Sequence, residues 1–153
     1  MILSFYPCMI GELCIEQTNG FITHIYFMHE FPADVKTGET PLIKEAKLQL
    51  DEYFAGNRKL FSIPISPQGT PYAKKIWELL RAIPYGQTQT YKQIAEKAGN
   101  PGAARAVGLA CNKNPIALLI PCHRVIGSNG ALTGYRGGLD VKRALLELEG
   151  RRK

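Results

Sequence analysis

The chain has 153 residues, of which 45% are hydrophobic and 21% charged, a balance typical of a globular protein with its own core. Its length suits one compact domain, or a small domain packed against another. No apolar run approaches the ~20 residues of a membrane-spanning helix, which excludes an integral helical membrane protein. The formal net charge of +6 suits a polyanionic partner such as nucleic acid.

The four cysteines form no CxxC pair, and they lie at Cys8, Cys14, Cys111 and Cys122. The first residues lack the basic segment that opens a secretory signal. We therefore expect reduced thiols in a cytoplasmic protein, or a nuclear one if the source is eukaryotic.

Residues 2–28 have the pattern of an antiparallel β-meander. Three short β-prone runs follow one another, at Ile2–Tyr6, Leu13–Ile15 and Phe21–Met28. Asn19-Gly20 lies between the last two runs, and this dipeptide is the strongest short signal for a β-hairpin turn. The pattern predicts a small sheet at the start of the chain.

A helix is predicted after the sheet, with Thr40 as its N-cap and Pro41 as its first residue. Leu42, Ala46, Leu50 and Phe54 recur at helical spacing, and Gly56 ends the helix. Residues 60–65 could form one more strand. The breaker cluster Ser66-Pro67-Gln68-Gly69 follows, so we predict an α/β domain at residues 1–66 and a second domain at residues 67–153.

Two cysteines and two histidines of the first part, Cys8, Cys14, His24 and His29, could be proposed as a zinc site. Their spacings match no compact zinc motif, and they are spread over three predicted strands. Cys14 and His24 could be cross-strand neighbours, which keeps zinc as an alternative. We expect no metal and no cofactor.

The second part begins with a helix that Thr70-Pro71 opens and Pro84 ends. Thr90 and Gln93 form a capping box for a further helix, which Gly99 terminates. Asn100-Pro101 follows at once and starts a third helix over Gly102–Cys111. Two short helices joined by a tight turn are typical of a helix-turn-helix, although an ordinary helical corner has the same pattern.

The third helix has an unusual surface, because most of its residues are small and Arg105 alone is long and charged. A helix that reads bases in the major groove needs several long polar side chains. Small residues instead let the helix backbone lie close to DNA, with contacts mainly to phosphates. The alternative is an alanine-rich core helix, which fits Arg105 less well.

A buried strand is predicted over Ile116–Ile120, and it leads directly to Cys122 and His123. A thiolate is a strong nucleophile, and a neighbouring imidazole can generate it. By itself the pair is a weak signal, since a buried cysteine beside a satisfied histidine is common. A last helix buries Val141, Leu145 and Leu148, and Glu149 one residue beyond that stripe would ordinarily lie at the surface.

Several residues of the second part form an ordered set: Tyr91, Arg105, Asn114-Pro115, Pro121-Cys122-His123-Arg124-Val125, Tyr135 and Glu149-Gly150. In this order they resemble the O6-alkylguanine-DNA alkyltransferases. The match covers roughly residues 70–150, and the first 66 residues match only in layout. The resemblance implies an α/β class fold, with a small N-terminal sheet-plus-helix domain and a mostly helical, winged-helix-like C-terminal domain.

The resemblance also implies an activity, the irreversible transfer of an alkyl group from guanine O6, or thymine O4, to Cys122 in a single turnover. His123 would take the thiol proton through a water, with Glu149 orienting the imidazole. Tyr91 would donate toward the leaving guanine, and Asn114 would tie the helix-turn-helix to the site. Backbone amides near Tyr135 and Arg136 would hold O6, in a loop that continues through Gly137, and the carbonyls of Cys122 and Val125 would accept from the guanine amino group.

The implied partner is double-stranded DNA carrying O6-alkylguanine, bound by a monomer with no membrane involved. The target base must leave the duplex, and Arg105 would fill the vacated stack. The residues expected to contact DNA are Arg105, Ala104, Thr90, Tyr91, Gly108 and Asn100. Position 136 varies in the family between a small and a long residue, so the resemblance leaves the tolerated adduct size open. Cys111 is expected to be a packing residue, with a second alkyl acceptor as the alternative.

Three other functions would require different residues. A non-catalytic lesion-binding relative would lack the cysteine, whereas Cys122 is present. A helix-turn-helix regulator would need a helix richer in base-reading side chains. A cysteine–histidine hydrolase of the protease type would turn over, and it would have no use for Arg105.

Overall fold

The chain forms two compact units in a computed structural model that describes residues 1–27, 30, 32 and 36–150. The first unit comprises Met1–Gln68 together with Pro115–Ala117, and the second comprises Gly69–Asn114 together with Leu118–Lys153. The sequence did not indicate that a segment from the middle of the second part belongs to the first unit. The domain boundary at residue 66 remains a prediction.

The first unit contains a three-stranded antiparallel sheet in the order β1-β2-β3. Its strands are β1 at Ile2–Cys8, β2 at Gly11–Thr18 and β3 at Phe21–Tyr26. Asn19 and Gly20 have φ angles of 52° and 82°, so both residues are left-handed, as a two-residue hairpin turn requires. The predicted hairpin is confirmed, while β1 and β2 are longer than predicted. The proposed end of the third strand at Met28 lies outside the described residues.

Helix α1 spans Pro41–Phe54 and follows the predicted cap, because the Thr40 side chain accepts a hydrogen bond from the backbone N–H of Ile43. Its apolar face is rotated from the predicted stripe. Ile43, Ala46, Leu50 and Tyr53 are buried, whereas Leu42 and Phe54 are only half-buried.

The prediction of a strand over residues 60–65 is wrong. Only Ile65 makes a β-bridge there, to Ile22, and the backbone N–H of Ile22 donates to the carbonyl of Pro64 at 3.0 Å. Pro64 has no amide hydrogen, and proline is for that reason confined to strand edges and ends. The segment therefore lies along β3 without forming a ladder.

The prediction of a buried strand over Ile116–Ile120 is also wrong. Ile116 makes an isolated bridge to Ile25, whose N–H donates to the carbonyl of Pro115 at 2.9 Å. Leu118 then has a φ of 73°, a left-handed conformation that ends any extended run. The chain turns here instead of running straight toward Cys122.

The second unit is mostly helical. Its elements are α2 at Pro71–Arg81, β4 at Gln89–Thr90, α3 at Tyr91–Lys97, α4 at Ala104–Asn112, a 3₁₀ turn at Cys122–Arg124, β5 at Val125–Ile126 and α5 at Leu139–Leu148. Trp77 on α2 is buried and donates from Nε1 to the carbonyl of Ala110 on α4 at 2.9 Å, which ties the two helices together. The predicted caps at Thr70 and Thr90 are both present.

Helices α3 and α4 follow one another as the predicted helix-turn-helix, but α4 begins at Ala104 and not at Gly102. Asn100 accepts from the Gly102 N–H through its side chain at 3.1 Å, so the residues after Pro101 form a turn first. The strands β4 and β5 pair in parallel, with Gln89 opposite Val125 and Thr90 opposite Ile126. None of the helices in the described part of the chain has the length and apolar character needed to cross a membrane.

Candidate active site

Cys122 opens the 3₁₀ turn and is 8% exposed, so its thiol is nearly enclosed. Its backbone N–H donates to the carbonyl of Ile120 at 2.8 Å, which closes a tight turn centred on Pro121. Asn114 stabilises this bend, because its side-chain amide donates to the same Ile120 carbonyl at 2.7 Å and to Cys122 Sγ at 3.3 Å. The buried amide of Asn114 thus holds the thiol in a defined position.

His123 is fully buried, and its Nε2 lies 2.8 Å from Oε2 of Glu149. Arg124 binds the same carboxylate with two nitrogens, Nε at 2.8 Å from Oε1 and Nη2 at 3.0 Å from Oε2. A third nitrogen of Arg124 donates to the carbonyl of Ile83 at 2.8 Å. The surface position that the sequence suggested for Glu149 is wrong, since this residue is 4% exposed. A buried ion pair with Arg124 and a buried hydrogen bond from His123 explain how a carboxylate is tolerated there.

The charges of this cluster follow from its contacts. Burial opposes ionisation of Glu149, but hydrogen bonds from His123 and Arg124 and the charges of both outweigh it and lower the carboxyl pKa to about 2. Burial also lowers the pKa of His123, against the opposing effect of Glu149. The imidazole is therefore neutral at neutral pH, with its hydrogen on Nε2, facing the carboxylate. Its Nδ1 has no hydrogen-bond partner within the described part of the chain, and it carries the basic lone pair.

The thiol of Cys122 is protonated in the resting protein. Burial raises its pKa, and the hydrogen bond from Asn114 and the charges of Lys142 and Arg136 only partly offset the rise. Any reaction of this thiol as a nucleophile would therefore need a base that accepts its proton.

Lys142 is a residue of this site that the sequence did not indicate. It is fully buried, and its Nζ donates to the carbonyls of Val125 at 2.6 Å and Thr133 at 2.9 Å. The same Nζ lies 5.9 Å from the centroid of the Tyr91 ring. The prediction placed Val141 on the buried face of this helix. Helical spacing could have indicated Lys142 instead, because Lys142 lies three and four residues before the buried Leu145 and Leu146.

A cavity of about 360 Å³ opens beside Cys122. Five of the predicted residues line it: Tyr91, Gly108, Cys122, Tyr135 and Arg136. Its other lining residues were not predicted as pocket residues: Leu109, Cys111, Asn112, Thr133 and Gly134. Val125 and Gly137 do not line it, and the carbonyl of Val125 already accepts from Lys142. Arg136 donates to the carbonyl of Asn112 at 2.7 Å, which holds its guanidinium at this cavity.

Two groups in the cavity have perturbed pKa values. Burial raises the pKa of the Tyr91 hydroxyl, which accepts a 3.4 Å hydrogen bond from Thr133. Burial also raises the pKa of Cys111 far above its usual range, and the neighbouring Cys122 raises it further. Both groups are protonated at neutral pH, so Tyr91 is available as a hydrogen-bond donor.

The residues predicted to contact DNA lie on the helix-turn-helix. Arg105 is exposed on α4, and among the described residues its guanidinium has no hydrogen-bond or ion-pair partner. Ala104 and Gly108 share this helix, Thr90 caps α3, and Asn100 forms the intervening turn. The surface of α4 is not uniformly small, however, because Leu109 is 58% exposed.

The structure does not bring Cys14 and His24 together as cross-strand partners. Cys14 pairs with Tyr26, while His24 pairs with Glu16 and its Nδ1 lies 2.6 Å from the Glu16 carboxylate. Within the described residues no group of three or more metal-ligating side chains is present. His29 lies outside the described residues.

Two family models match the chain. The DNA-binding domain of 6-O-methylguanine DNA methyltransferase matches residues 71–151, and the ribonuclease-like domain of the same family matches residues 1–67. A methylated-DNA–protein-cysteine methyltransferase of Methanosarcina acetivorans is 58% identical over 155 residues, covering 98% of this chain and 99% of that protein. The constitutive methylated-DNA–protein-cysteine methyltransferase of Bacillus subtilis is 46% identical over 148 residues, with 92% and 90% covered.

A solved structure has the same fold. The crystal structure of Mycobacterium tuberculosis OGT in complex with DNA superposes with a TM-score of 0.92 at 41% identity. The superposition covers 97% of this chain and 92% of that one.

Proposed function

Because the chain belongs to the 6-O-methylguanine DNA methyltransferase family, we propose that Cys122 is the residue that accepts the alkyl group in its reaction. The chain repairs alkylated DNA by transfer of the alkyl group to a cysteine of the protein itself. One observation carries the assignment to Cys122: the thiol is held by Asn114 at the cavity and is followed directly by the His123–Glu149 pair.

The thiol proton goes to Nδ1 of His123 through a water molecule, because this nitrogen is basic and the opposite nitrogen is engaged by Glu149. Glu149 stabilises the imidazolium that forms, and Arg124 fixes the carboxylate. The thiolate then attacks the alkyl carbon from the side opposite the oxygen. The new bond joins sulfur to carbon, and the bond between carbon and guanine O6 breaks.

The leaving guanine gains negative charge as this bond breaks, so hydrogen-bond donors must meet it. The protonated hydroxyl of Tyr91 lines the cavity and supplies one donor. Backbone amides near Tyr135 and Arg136, which line the cavity, supply others at O6. The carbonyls of Cys122 and Val125 accept from the guanine amino group, and the Val125 carbonyl has a second lone pair beside the one that Lys142 uses.

The substrate is O6-alkylguanine in double-stranded DNA, with O4-alkylthymine as a second lesion. Cys122 is 8% exposed, so a base still stacked in the duplex cannot reach it and must be flipped into the cavity. The exposed cation of Arg105 fills the vacated stack, and Ala104 and Gly108 allow α4 to lie close to the minor groove. Thr90, Tyr91 and Asn100 contact the strand beside it.

The product is a thioether at Cys122, which has no easy route of hydrolysis, so one protein molecule repairs one lesion. The reaction uses no cofactor and one monomer. All four cysteines are free thiols, and an acceptor thiol persists only where disulfides do not form, which supports a cytoplasmic location, or a nuclear one in a eukaryote.

The test is a single-turnover assay. The protein is mixed with an excess of duplex that contains O6-methylguanine, and the intact protein is then weighed and its modified residue mapped. We expect one methyl group per molecule at Cys122. Cys122→Ala should bind the duplex and gain no mass. Repeated turnover, or tight binding without a gain in mass, would contradict the proposal.

A further inference from the structure

Helix α4 presents one large apolar side chain to solvent. Leu109 is 58% exposed, whereas Val107 and Ala110 beside it are buried. Leu109 comes four residues after Arg105, so the two side chains lie one turn apart on the same face of the helix. Leu109 is thus the apolar neighbour of the cation that we assign to the vacated stack.

A single exposed leucine needs no explanation by itself. Leu109 differs from the others in its location, because it also lines the cavity that contains Cys122. A side chain that is both exposed and part of the cavity wall lies at the cavity mouth. A nucleotide that enters the cavity beside α4 meets this side chain.

We propose that Leu109 is an apolar clamp that packs against the deoxyribose of the flipped nucleotide while its base occupies the cavity. The inference rests on the proposed function. Arg105 and Leu109 are one helical turn apart, which is about 5–6 Å. When Arg105 fills the vacated stack, Leu109 therefore lies beside the flipped nucleotide, between the base stack and the thiol of Cys122. The sugar is the least polar part of that nucleotide, and apolar side chains are common wedges in proteins that bend DNA through the minor groove.

The clamp and the stack-filling cation predict different losses on three substrates. Each substrate carries the same methylated guanine: the free base, a single-stranded oligonucleotide and the duplex. Only the two oligonucleotides have a deoxyribose, and only the duplex has a stack to fill. The rate constant of methyl transfer to Cys122 is measured for each one under single-turnover conditions.

Leu109→Ala should lower the ratio of the single-strand rate to the free-base rate about ten-fold, as expected for the loss of roughly half of a leucine's apolar contact. The ratio of the duplex rate to the free-base rate should fall by a similar factor. Arg105→Ala should lower only the duplex ratio. Leu109→Met, which keeps the apolar area, should restore both ratios to within about two-fold of wild type.

Leu48 supplies the matched control, because it is 51% exposed on α1 in the first unit. Leu48→Ala should leave all three rates unchanged. Wild-type ratios in Leu109→Ala, or an equal loss on all three substrates, would overturn the clamp and leave the proposed function intact. If the wild-type protein transfers no methyl group from any of the three, the proposed function fails and the clamp fails with it.

Discussion

Glu149 lies 2.8 Å from Nε2 of His123, although the two residues are 26 positions apart in the chain. Arg124 donates hydrogen bonds to the same carboxylate from two nitrogens. The carboxylate therefore stays ionised inside the protein and fixes which imidazole nitrogen is basic. This pairing leaves the imidazole beside Cys122 with a basic Nδ1.

Glu149→Gln should slow methyl transfer about 100-fold, the lower end of the range for losing a general base, because His123 loses its orientation and its counter-ion. The same change leaves the buried Arg124 without its partner, which should lower the free energy of unfolding by about 3 kcal/mol. Single-turnover rates and urea unfolding measure the two effects. Glu147→Gln, at an exposed position on α5 two residues earlier, is the control and should match wild type. Wild-type rates in Glu149→Gln would argue against the relay.

The transfer rate should stay constant as the pH falls through 6.5, the ordinary pKa of histidine, and should decline only at lower pH. The reason is that burial lowers the pKa of His123, so the imidazole remains a neutral base in this range. Rates on a methylated duplex between pH 5 and 8 test this prediction, with salt held constant because DNA affinity depends on it. A rate that already halves near pH 6.5 would show an imidazole with an ordinary pKa.

The free energy of unfolding should fall as the pH drops from about 6.5 toward 4. His123 has a lower pKa folded than unfolded, so the unfolded chain binds its proton first and acid favours unfolding. Glu149 adds to the effect, because its stabilisation is complete above the ordinary pKa of 4.5 and is lost as the pH falls toward the folded value of about 2. That shift corresponds to roughly 3 kcal/mol. Below pH 4.5, urea unfolding at several pH values should show a weaker decline in Glu149→Gln, which lacks this carboxylate.

Lys142→Met should destabilise the protein by about 1–3 kcal/mol, because two buried carbonyls lose their donor. The change also removes a positive charge that lowers the pKa of Cys122, so the thiol should react more slowly with iodoacetamide. Thermal unfolding and the rate of carbamidomethylation at Cys122 provide the measurements. Lys92→Met, at an exposed position on α3, should change neither quantity. Unchanged thiol reactivity in Lys142→Met would exclude the electrostatic role.

Arg105→Ala should slow repair of duplex DNA at least ten-fold more than transfer from the free base, because only the duplex has a stack to fill. Arg143→Ala is the control, since this arginine is also exposed but lies on α5. Equal losses on both substrates would contradict the flipping role of Arg105.

Cys111→Ser should accept one methyl group at Cys122, as the wild-type protein does. Burial raises the pKa of Cys111 far above neutral, and no base contacts its thiol among the described residues, so it remains an unreactive thiol. Peptide mapping after reaction with excess substrate measures the outcome. Methylation at Cys111 in the wild-type protein would make it a second acceptor.

Local sequence signals predicted the elements whose cause is local. Asn19-Gly20 predicted its hairpin because the turn needs two left-handed residues, and Thr90 with Gln93 predicted a helix start because the two side chains cap each other. The strands predicted from apolar runs did not form where the backbone conformation prevents an extended ladder. Leu118 is left-handed inside a run that sequence alone assigns to a strand.

The sequence by itself determined which residues form the candidate site, since the ordered set from Tyr91 to Glu149 indicated an acceptor thiol and a neighbouring base. Only the tertiary structure decided that Glu149 is buried and that Arg124 and His123 both bind its carboxylate. It also decided that Lys142 is buried and donates to the carbonyl of Val125. The physical reason is that burial and ion pairing depend on neighbours far away in the chain. A carboxylate one position beyond an apolar stripe looks exposed until the fold brings the Arg124 cation and the His123 donor to it.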